Sequence, residues 1–435
     1  MKQSLLIFIS LIFVILFGLT EEQLAQERDL QYFRYPDKRG LNVFETSKKD
    51  TVKFDGLKVR IGGASTLQFQ GIDHSNEANI VDDGEGNNVN QLIELSNNFN
   101  LATANLDFDV QLANGVRMHL RTYLSSRHHN EAYVKGGYLQ IDKLDFIDKG
   151  FLDDIMDVVT IKVGHMEINY GDAHFRRSDN AMTIFNPFVG NYILDAFSTE
   201  VGGEVYFKSH DIIAMVGLSN GKLNQSVNDG GATSVAFLAK LGFDKQFSNN
   251  FRVRLTGSVY TNNKAARIYL YSGDRAGARY YSVMESITST RDNFTSGRWN
   301  PGFADKLTAF MINSFIKYNG LELFGTFERP EGGDFPGATE TRAWNQFAID
   351  AVYRFGMEEN FYAGIGYNTA SGKLANSNPN EVTINRIQGS LGWFLTKNIL
   401  VKFEYVNQTY NDFPLDNIHS GAKFSGYVIE TAISF

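Results

Sequence analysis

Five ionisable side chains crowd into eight positions of the stretch MEINYGDAHFRRSDN: Asp172, His174, Arg176, Arg177 and Asp179. Acids, an imidazole and guanidiniums so close together can serve proton transfer, metal ligation or an electrostatic field. Covalent catalysis would need a nucleophile within reach of a base and an orienting acid, and the sequence offers no convincing Ser/His/acid set. GLSNG at 217–221 fits the G-x-S-x-G pattern, but that motif needs a strand running into a helix; LNQSVNDGG follows instead, so Ser219 reads as a strand end. Metal ligation fares no better. His128 and His129 are adjacent, and neighbours on a strand point to opposite faces. DDGEGNN at 82–88 has the composition of a calcium loop without EF-hand spacing and reads as an exposed acidic loop. There is no Walker loop, dinucleotide fingerprint or paired-His zinc motif, so no cofactor or metal is expected and the chain is not read as an enzyme. What remains is the field: fixed charges that either pair with one another or bias which ions pass them.

The elements that must hold this cluster announce themselves by a period of two. From Leu57, the residues Leu57, Val59, Ile61, Leu67 and Phe69 share one face, while Lys58, Arg60, Thr66, Gln68 and Gln70 share the other. The pattern returns as Leu106, Phe108, Val110 and Leu112 against Asp107 and Asp109, then as Val116, Met118 and Leu120 against Arg117, His119 and Arg121. It returns again as Val253, Leu255 and Val259 against Arg252, Arg254 and Thr256, and as Val401 and Phe403 against Lys402 and Glu404. Each is a strand with one apolar and one polar face. About 16 are expected, near 57–72, 92–112, 115–126, 132–144, 158–166, 200–208, 211–219, 234–247, 251–262, 307–318, 321–328, 345–356, 361–371, 383–396, 399–409 and 424–435. Eighteen would result if 267–271 and 280–284 paired as a further hairpin.

Their joints alternate in length. Tight turns fall at Asn114-Gly115, 208–210, 248–250, Asn319-Gly320, 357–360 and Lys397-Asn398, the Asn-Gly pairs being the strongest hairpin signals. Mostly longer connections fall between them, at 73–91, 127–131, 167–199, 220–233, 263–306, 329–344, 372–382 and 410–423; KLDFIDKGFLDDIMD, near 143–157, is long for its rim. Short turns on one rim and long loops on the other define the expected fold, an all-β transmembrane antiparallel barrel with short periplasmic turns and long extracellular loops. Composition agrees: 35 Phe, 20 Tyr and 40 Gly against 7 Pro suit pleated strands, tight turns and interfacial aromatics. After the first twenty positions there is no apolar run of roughly 20 residues, so a membrane would have to be crossed by strands.

The ends fix the address. Lys2, the apolar run LLIFISLIFVILFGL at 5–19 and the polar TEEQLAQ read as a signal peptide over 1–25, the run being short for a membrane anchor. Residues 26–56 read as a periplasmic N-terminal lead-in, mostly unstructured, before the barrel of 57–435. At the other end GYVIETAISF alternates to its last residue, with Tyr427, Ile429, Thr431, Ile433 and Phe435 on one face. Barrel closure needs the last strand to pair with the first, leaving no edge in the bilayer, and the tail resembles the signal read by outer-membrane assembly machinery. Tyr427 and Phe435 are expected at the bilayer interfaces. The expected location is the Gram-negative outer membrane. Zero cysteines exclude disulfides and thiol chemistry, and a net charge of −8 argues against a nucleic-acid partner.

The order VTIKVGHMEINYGDAHF, a long loop, then TEVGGEVYF is similar to the corresponding region of porins related to the phosphate-selective porin O and P family, in its Bacteroidetes form. The resemblance is clearest over 158–207. It implies a sixteen-stranded barrel, a homotrimer, and a constriction loop after the strand ending near Met166, with Asp172, His174, Arg176, Arg177 and Asp179 as candidate constriction residues. It does not bring phosphate with it. Phosphate channels of that family use arginine ladders and a lysine cluster, whereas this loop has an adjacent Arg pair, interleaved acids and no lysine.

Two placements of the 167–199 loop are open: folded into the lumen, where it would narrow a pore, or laid over the outer mouth. The polar strand faces supply the opposite wall through Lys58, Arg60, Arg117, His119, Arg121, Arg252, Arg254, Arg386 and Lys402. These would favour small hydrophilic or anionic solutes, or merely pair with Asp107, Asp109, Asp350 and Glu404. The leading expectation is passive diffusion through such a lumen, with Arg117, His119 and Arg121 as an electropositive track. The rivals are a plugged barrel that scaffolds outer-membrane partner proteins through loops such as RIYLYSGDRAGARYY, within 263–306, and a barrel hydrolase.

Overall fold

The structure, a computed structural model, describes residues 29–124, 132–179, 182–223, 227, 233–265, 267–272, 279–289, 295–335, 337, 340–375 and 381–435. The signal peptide at 1–25 and the pair His128 and His129 therefore lie outside the described residues. Sixteen antiparallel strands close into one barrel in chain order. They are β1 (Lys58–Ser75), β2 (Asn98–Ala113), β3 (Val116–Leu124), β4 (Ala132–Ile141), β5 (Val159–Glu167), β6 (Thr199–Ser209), β7 (Ile212–Ser219) and β8 (Ala236–Ser248). The second half comprises β9 (Phe251–Ala265), β10 (Ala304–Tyr318), β11 (Leu321–Gly333), β12 (Thr341–Phe355), β13 (Phe361–Lys373), β14 (Glu381–Thr396), β15 (Ile399–Asn411) and β16 (Lys423–Ser434). No helix of the described residues is long and apolar enough to cross a membrane.

Alternation decides which face goes where. Ile61 and Leu241 stand outward, 61% and 66% exposed, while Arg60, Gln68 and Lys240 on the opposite faces are buried. Leaving so much aliphatic surface uncovered on a closed sheet is favourable against lipid and costly against water. Near the short turns the outward rings of Phe355, Phe361 and Trp393 stack across neighbouring strands, at 5.9 and 5.7 Å between centroids. β1 and β16 pair from Ala64↔Ser434 to Ser75↔Lys423, and Phe435 exchanges both backbone hydrogen bonds with Gly63. Phe435 is thereby held in the wall.

The strand count is sixteen, not eighteen. The stretches 267–271 and 280–284 carry no strand. Leu270, Tyr271, Tyr280 and Val283 are buried in the main apolar cluster instead, with the Tyr271 and Tyr280 hydroxyls donating to Glu328 and Glu404 at 2.5 and 2.6 Å. These aromatics are thereby withdrawn from the surface on which partner binding would depend. The long joint between β4 and β5 folds as a short helix, α1 (Asp153–Met156), kept on the short-turn rim.

The expectation of a mostly unstructured lead-in is corrected. Residues 29–57 hold no strand and a single 3-10 turn, Lys38–Gly40, yet Leu30, Tyr32 and Phe44 are buried. The segment circles the short-turn rim from within. Gln31 Oε1 accepts from the Gly115 N–H at 2.8 Å, and Lys48 donates to Asp142 at 2.9 Å and to the Val159 carbonyl at 2.7 Å. Lys208 on β6 donates to the Glu45 carbonyl at 2.8 Å, and Arg252 on β9 to the Asn42 carbonyl at 2.9 Å. Asn42 reaches Glu322 on β11, while Lys38 bonds Asn360 through its side chain and the Lys397 carbonyl through its N–H at 2.8 Å. Each short connection, or a strand end beside it, is touched. The segment orders because lumenal side chains satisfy a backbone that has no ladder of its own.

Candidate lumenal site

The connection between β5 and β6 turns at Gly171 (φ +70), where a Cβ would stand 2.1 Å from Met311 Sδ on β10. Glycine takes up that left-handed backbone without strain, and any side chain there would have to displace the end of Met311. Two short 3-10 turns follow, Ala173–Arg176 and Thr183–Phe185. The loop's backbone is satisfied by side chains on the buried faces of the strands: Ile193 N–H donates to Asn368 at 2.6 Å, Leu194 N–H to Gln346 at 2.7 Å, and Val189 N–H to Glu404 at 2.7 Å. Lys402 Nζ and the Tyr362 hydroxyl donate to the carbonyls of Phe188 and Pro187, each at 2.9 Å.

Its charged residues are tied one by one. Asp172 accepts two bonds from the Arg254 guanidinium and one from the Thr256 hydroxyl, all at 2.8 Å, and lies 3.0 Å from Lys240. Burial alone would raise this carboxyl, but Arg254 and Lys240 bring it down to about 2. Arg177 forks onto Asp195 at 3.0 and 2.7 Å and reaches Asp179 at 3.1 Å. Asp179 takes Lys135 from β4 at 2.8 Å, and Asp195 takes Arg298 at 3.0 Å. Against the opposing effect of burial, Arg177 and Arg298 hold Asp195 at about 2. The His174 imidazole bridges Glu167 at 2.8 Å and the Asn169 amide oxygen at 2.9 Å. Arg176 donates to Asn42 at 3.0 Å and rests over the Phe324 ring.

The face formed by β1 to β5 is arranged differently. Asp109 is shared by Arg60 at 3.4 Å, Arg117 at 3.5 Å and His119 at 2.8 Å, and Arg121 forks onto Asp107 at 2.7 Å. In front of it lies a cavity of about 160 Å³, large enough for several waters. It is lined by these residues together with Lys135, Lys162, Glu167 and His174, and by Arg34, Phe44 and Glu45 from the N-terminal segment. Lys162 is half-buried. Its ammonium lies over the Tyr138 and Tyr206 rings at 5.5 and 5.1 Å, and no ion pair to it occurs among the described residues. An ammonium held by rings alone keeps its charge available to a passing ion.

The structure thus gathers Arg60, Arg117, His119 and Arg121 on one wall, and Asp172, Arg177, Asp179 and Arg254 into buried pairs on the loop. Lys58, beside Asp55, and Arg252, forked on Asp244, stay at the short-turn rim. Arg386 donates to the Asn191 and Gly297 carbonyls and Lys402 to loop carbonyls, so both hold backbone in place. Asp350 and Glu404 take tyrosine hydroxyls, from Tyr192 at 2.7 Å and Tyr280 at 2.6 Å, instead of arginines. Sequence reasoning missed Lys162, although the alternation of Val159, Ile161 and Val163 marks it as inward. It also missed Arg34, Asn42 and Glu45, for which no period exists. Ser219 ends β7 and donates to Glu200, with loop beyond it, as its motif context implied.

No protein-family model and no curated protein matches the chain. Solved structures do. An anion-selective porin from Comamonas acidovorans aligns at TM-score 0.53 with 10% identity, covering 87% of this chain and 100% of that one. The outer membrane channel DcaP of Acinetobacter baumannii gives 0.53 and 10%, covering 88% and 99%. OmpT of Vibrio cholerae, an outer membrane protein in its trimer form, gives 0.51 and 10%, covering 88% and 100%. At such identity the likeness is one of fold: this chain is built as a sixteen-stranded barrel of the kind those outer-membrane proteins have.

Proposed function

We propose that the chain is an outer-membrane porin through which small hydrophilic solutes diffuse passively, with a preference for anions. The lumen is narrowed by the 167–199 loop folded inward, leaving a path beside β1 to β5. The observation that carries this reading is the cavity on that wall, where Arg34, Arg60, Arg117, Arg121, Lys135 and Lys162 outnumber Glu45, Asp107, Asp109 and Glu167, and Lys162 has no carboxylate partner among the described residues. Fixed positive charge in excess on a low-dielectric wall concentrates anions. The similarity to an anion-selective porin and an outer membrane channel supports the reading. So do the resemblance of 158–207 to the O and P family in its Bacteroidetes form and the trimer form of the Vibrio cholerae neighbour, from which we take a homotrimer in lipid. Asp172, His174, Arg176, Arg177 and Asp179 fix the loop in place, and the β1 to β5 cations set the field.

The test is single-channel current in a planar bilayer with the reversal potential under a salt gradient, for the wild type and Lys162→Ala. Open current with anion preference that weakens in the variant is the expected result. Cation preference in the wild type overturns the selectivity. Silence from correctly folded protein favours the second reading, a plugged barrel serving outer-membrane partners, which the strapped short-turn rim and the loop packed along β8 to β16 support.

A further inference from the structure

Residues 30–50 are unlike a linker in one respect: their polar side chains are matched to the barrel interior rather than to solvent. Glu45 shows it best. Its carboxylate, 5% exposed, lies 2.9 Å from Arg254 and 3.3 Å from Lys240, and accepts from Asn169 of the loop at 3.0 Å. Asn42 joins three elements at once, donating to Glu322, accepting from Arg176 through its side chain and from Arg252 through its carbonyl. Phe44 packs with Phe315 and Phe324 under the loop's Phe175. Arg34 donates to the carbonyls of Gly40 and Phe175 at 3.1 Å and stacks 4.0 Å from the Phe185 ring. The segment and the loop are therefore packed on each other, and the free cavity is bounded by both, with Arg34, Glu45 and Thr46 contributed by the segment.

From this geometry we infer that residues 30–50 are the second half of the constriction, a strap across the short-turn mouth that sets how large a solute passes and what charge it meets there. The inference rests on the channel reading above. The strap supplies Arg34 to an anion path that already carries Lys162, and it supplies Glu45, which lines the same cavity while pairing with Arg254 and Lys240. Arg34 thus joins Lys162 along the cavity, while the charges of Arg254 and Lys240 are met by Glu45. A lumen without the strap would be wider and would expose Arg254 and Lys240 to the solution.

The chain has no cysteine, so one introduced thiol is unique. Single-channel conductance would be recorded for the wild type, for a deletion of residues 30–50, and for Thr46→Cys before and after a methanethiosulfonate carrying either a sulfonate or a trimethylammonium group. Folding of each is checked by heat-modifiable gel mobility. The expected result is a conductance raised roughly two-fold or more by the deletion, and a stepwise drop on modifying Cys at position 46, with ion preference moving in opposite directions for the two reagents. A silent wild type with a conducting deletion also supports the strap. If the deletion fails to fold, the thiol variant decides alone. A conducting wild type whose current neither deletion nor modification alters overturns the strap and leaves the channel standing. Silence of folded wild type and folded deletion alike overturns the channel reading and the strap with it.

Discussion

The two sides of the lumen solve the same electrostatic problem in opposite ways. Along β8 to β16 the inward side chains are matched to the 167–199 loop: Arg254 and Lys240 to Asp172, Gln346 and Asn368 to loop amides, Lys402 to loop carbonyls. Along β1 to β5 the inward charges pair mainly with each other across neighbouring strands, Arg60, Arg117 and His119 around Asp109 and Arg121 on Asp107. The first arrangement builds a scaffold and the second leaves a surface. Arginine as a residue type therefore says little about function in a barrel lumen; what matters is whether its partner belongs to an inserted segment or to the wall itself.

The contrast can be broken most severely at Asp172. Asp172→Ala leaves Lys240 with Glu45 and Arg254 with Glu45 and Asp244, and should lower stability by about 3 kcal/mol, read from denaturant midpoints in detergent, with flickering current as the loop loosens. An unchanged midpoint would mean that the loop is not anchored there. On the other wall Lys162→Ala should leave the midpoint within about 0.5 kcal/mol while moving the reversal potential toward cations. A fall in stability without that movement would put Lys162 on the structural side of the comparison.

Acid tests the loop's anchors next. Asp172 and Asp195 are both held at about 2, below the roughly 3.9 of an unfolded Asp. Their contribution is complete above about pH 4 and is lost as pH falls through their folded values. Loop protection against proteolysis should be flat from pH 7 to about 4 and decline below it; a decline already at pH 6 would require a different titrating group. The smallest effect on current belongs to Ser219→Ala, which removes a hydrogen bond to Glu200 and one accepted from the Gly221 N–H. A loss of about 1 kcal/mol is expected with current intact, and ester hydrolysis abolished by this variant would revive the hydrolase.

The wall was legible because its signal is local. Period-two alternation placed the sixteen strands, and the tight turns, two of them Asn-Gly, marked hairpin neighbours without knowledge of any long-range contact. Observed strands overrun the expected ends mainly toward the long loops, as at Ser75, Ala265 and Gly333, since pairing continues where the sequence has stopped alternating apolar with polar. The loop's importance was legible from its length and composition. Its partners were not: Asp172 finds Arg254 and Ile193 finds Asn368 across distances in sequence that no spacing rule reaches. The N-terminal segment was least legible. Asn42 and Glu45 sit in a stretch with no periodicity, and a polar run that docks in a polar lumen has the composition of one that docks nowhere.

That segment has a consequence for the order of assembly. It precedes β1 in the chain, yet its partners are spread from the β2–β3 turn to the β14–β15 turn, so its seat does not exist until the sheet has closed on itself. The first described part of the polypeptide to be synthesised is thus the last to find its place, and a barrel caught before that moment should be complete in its wall and open at its foot.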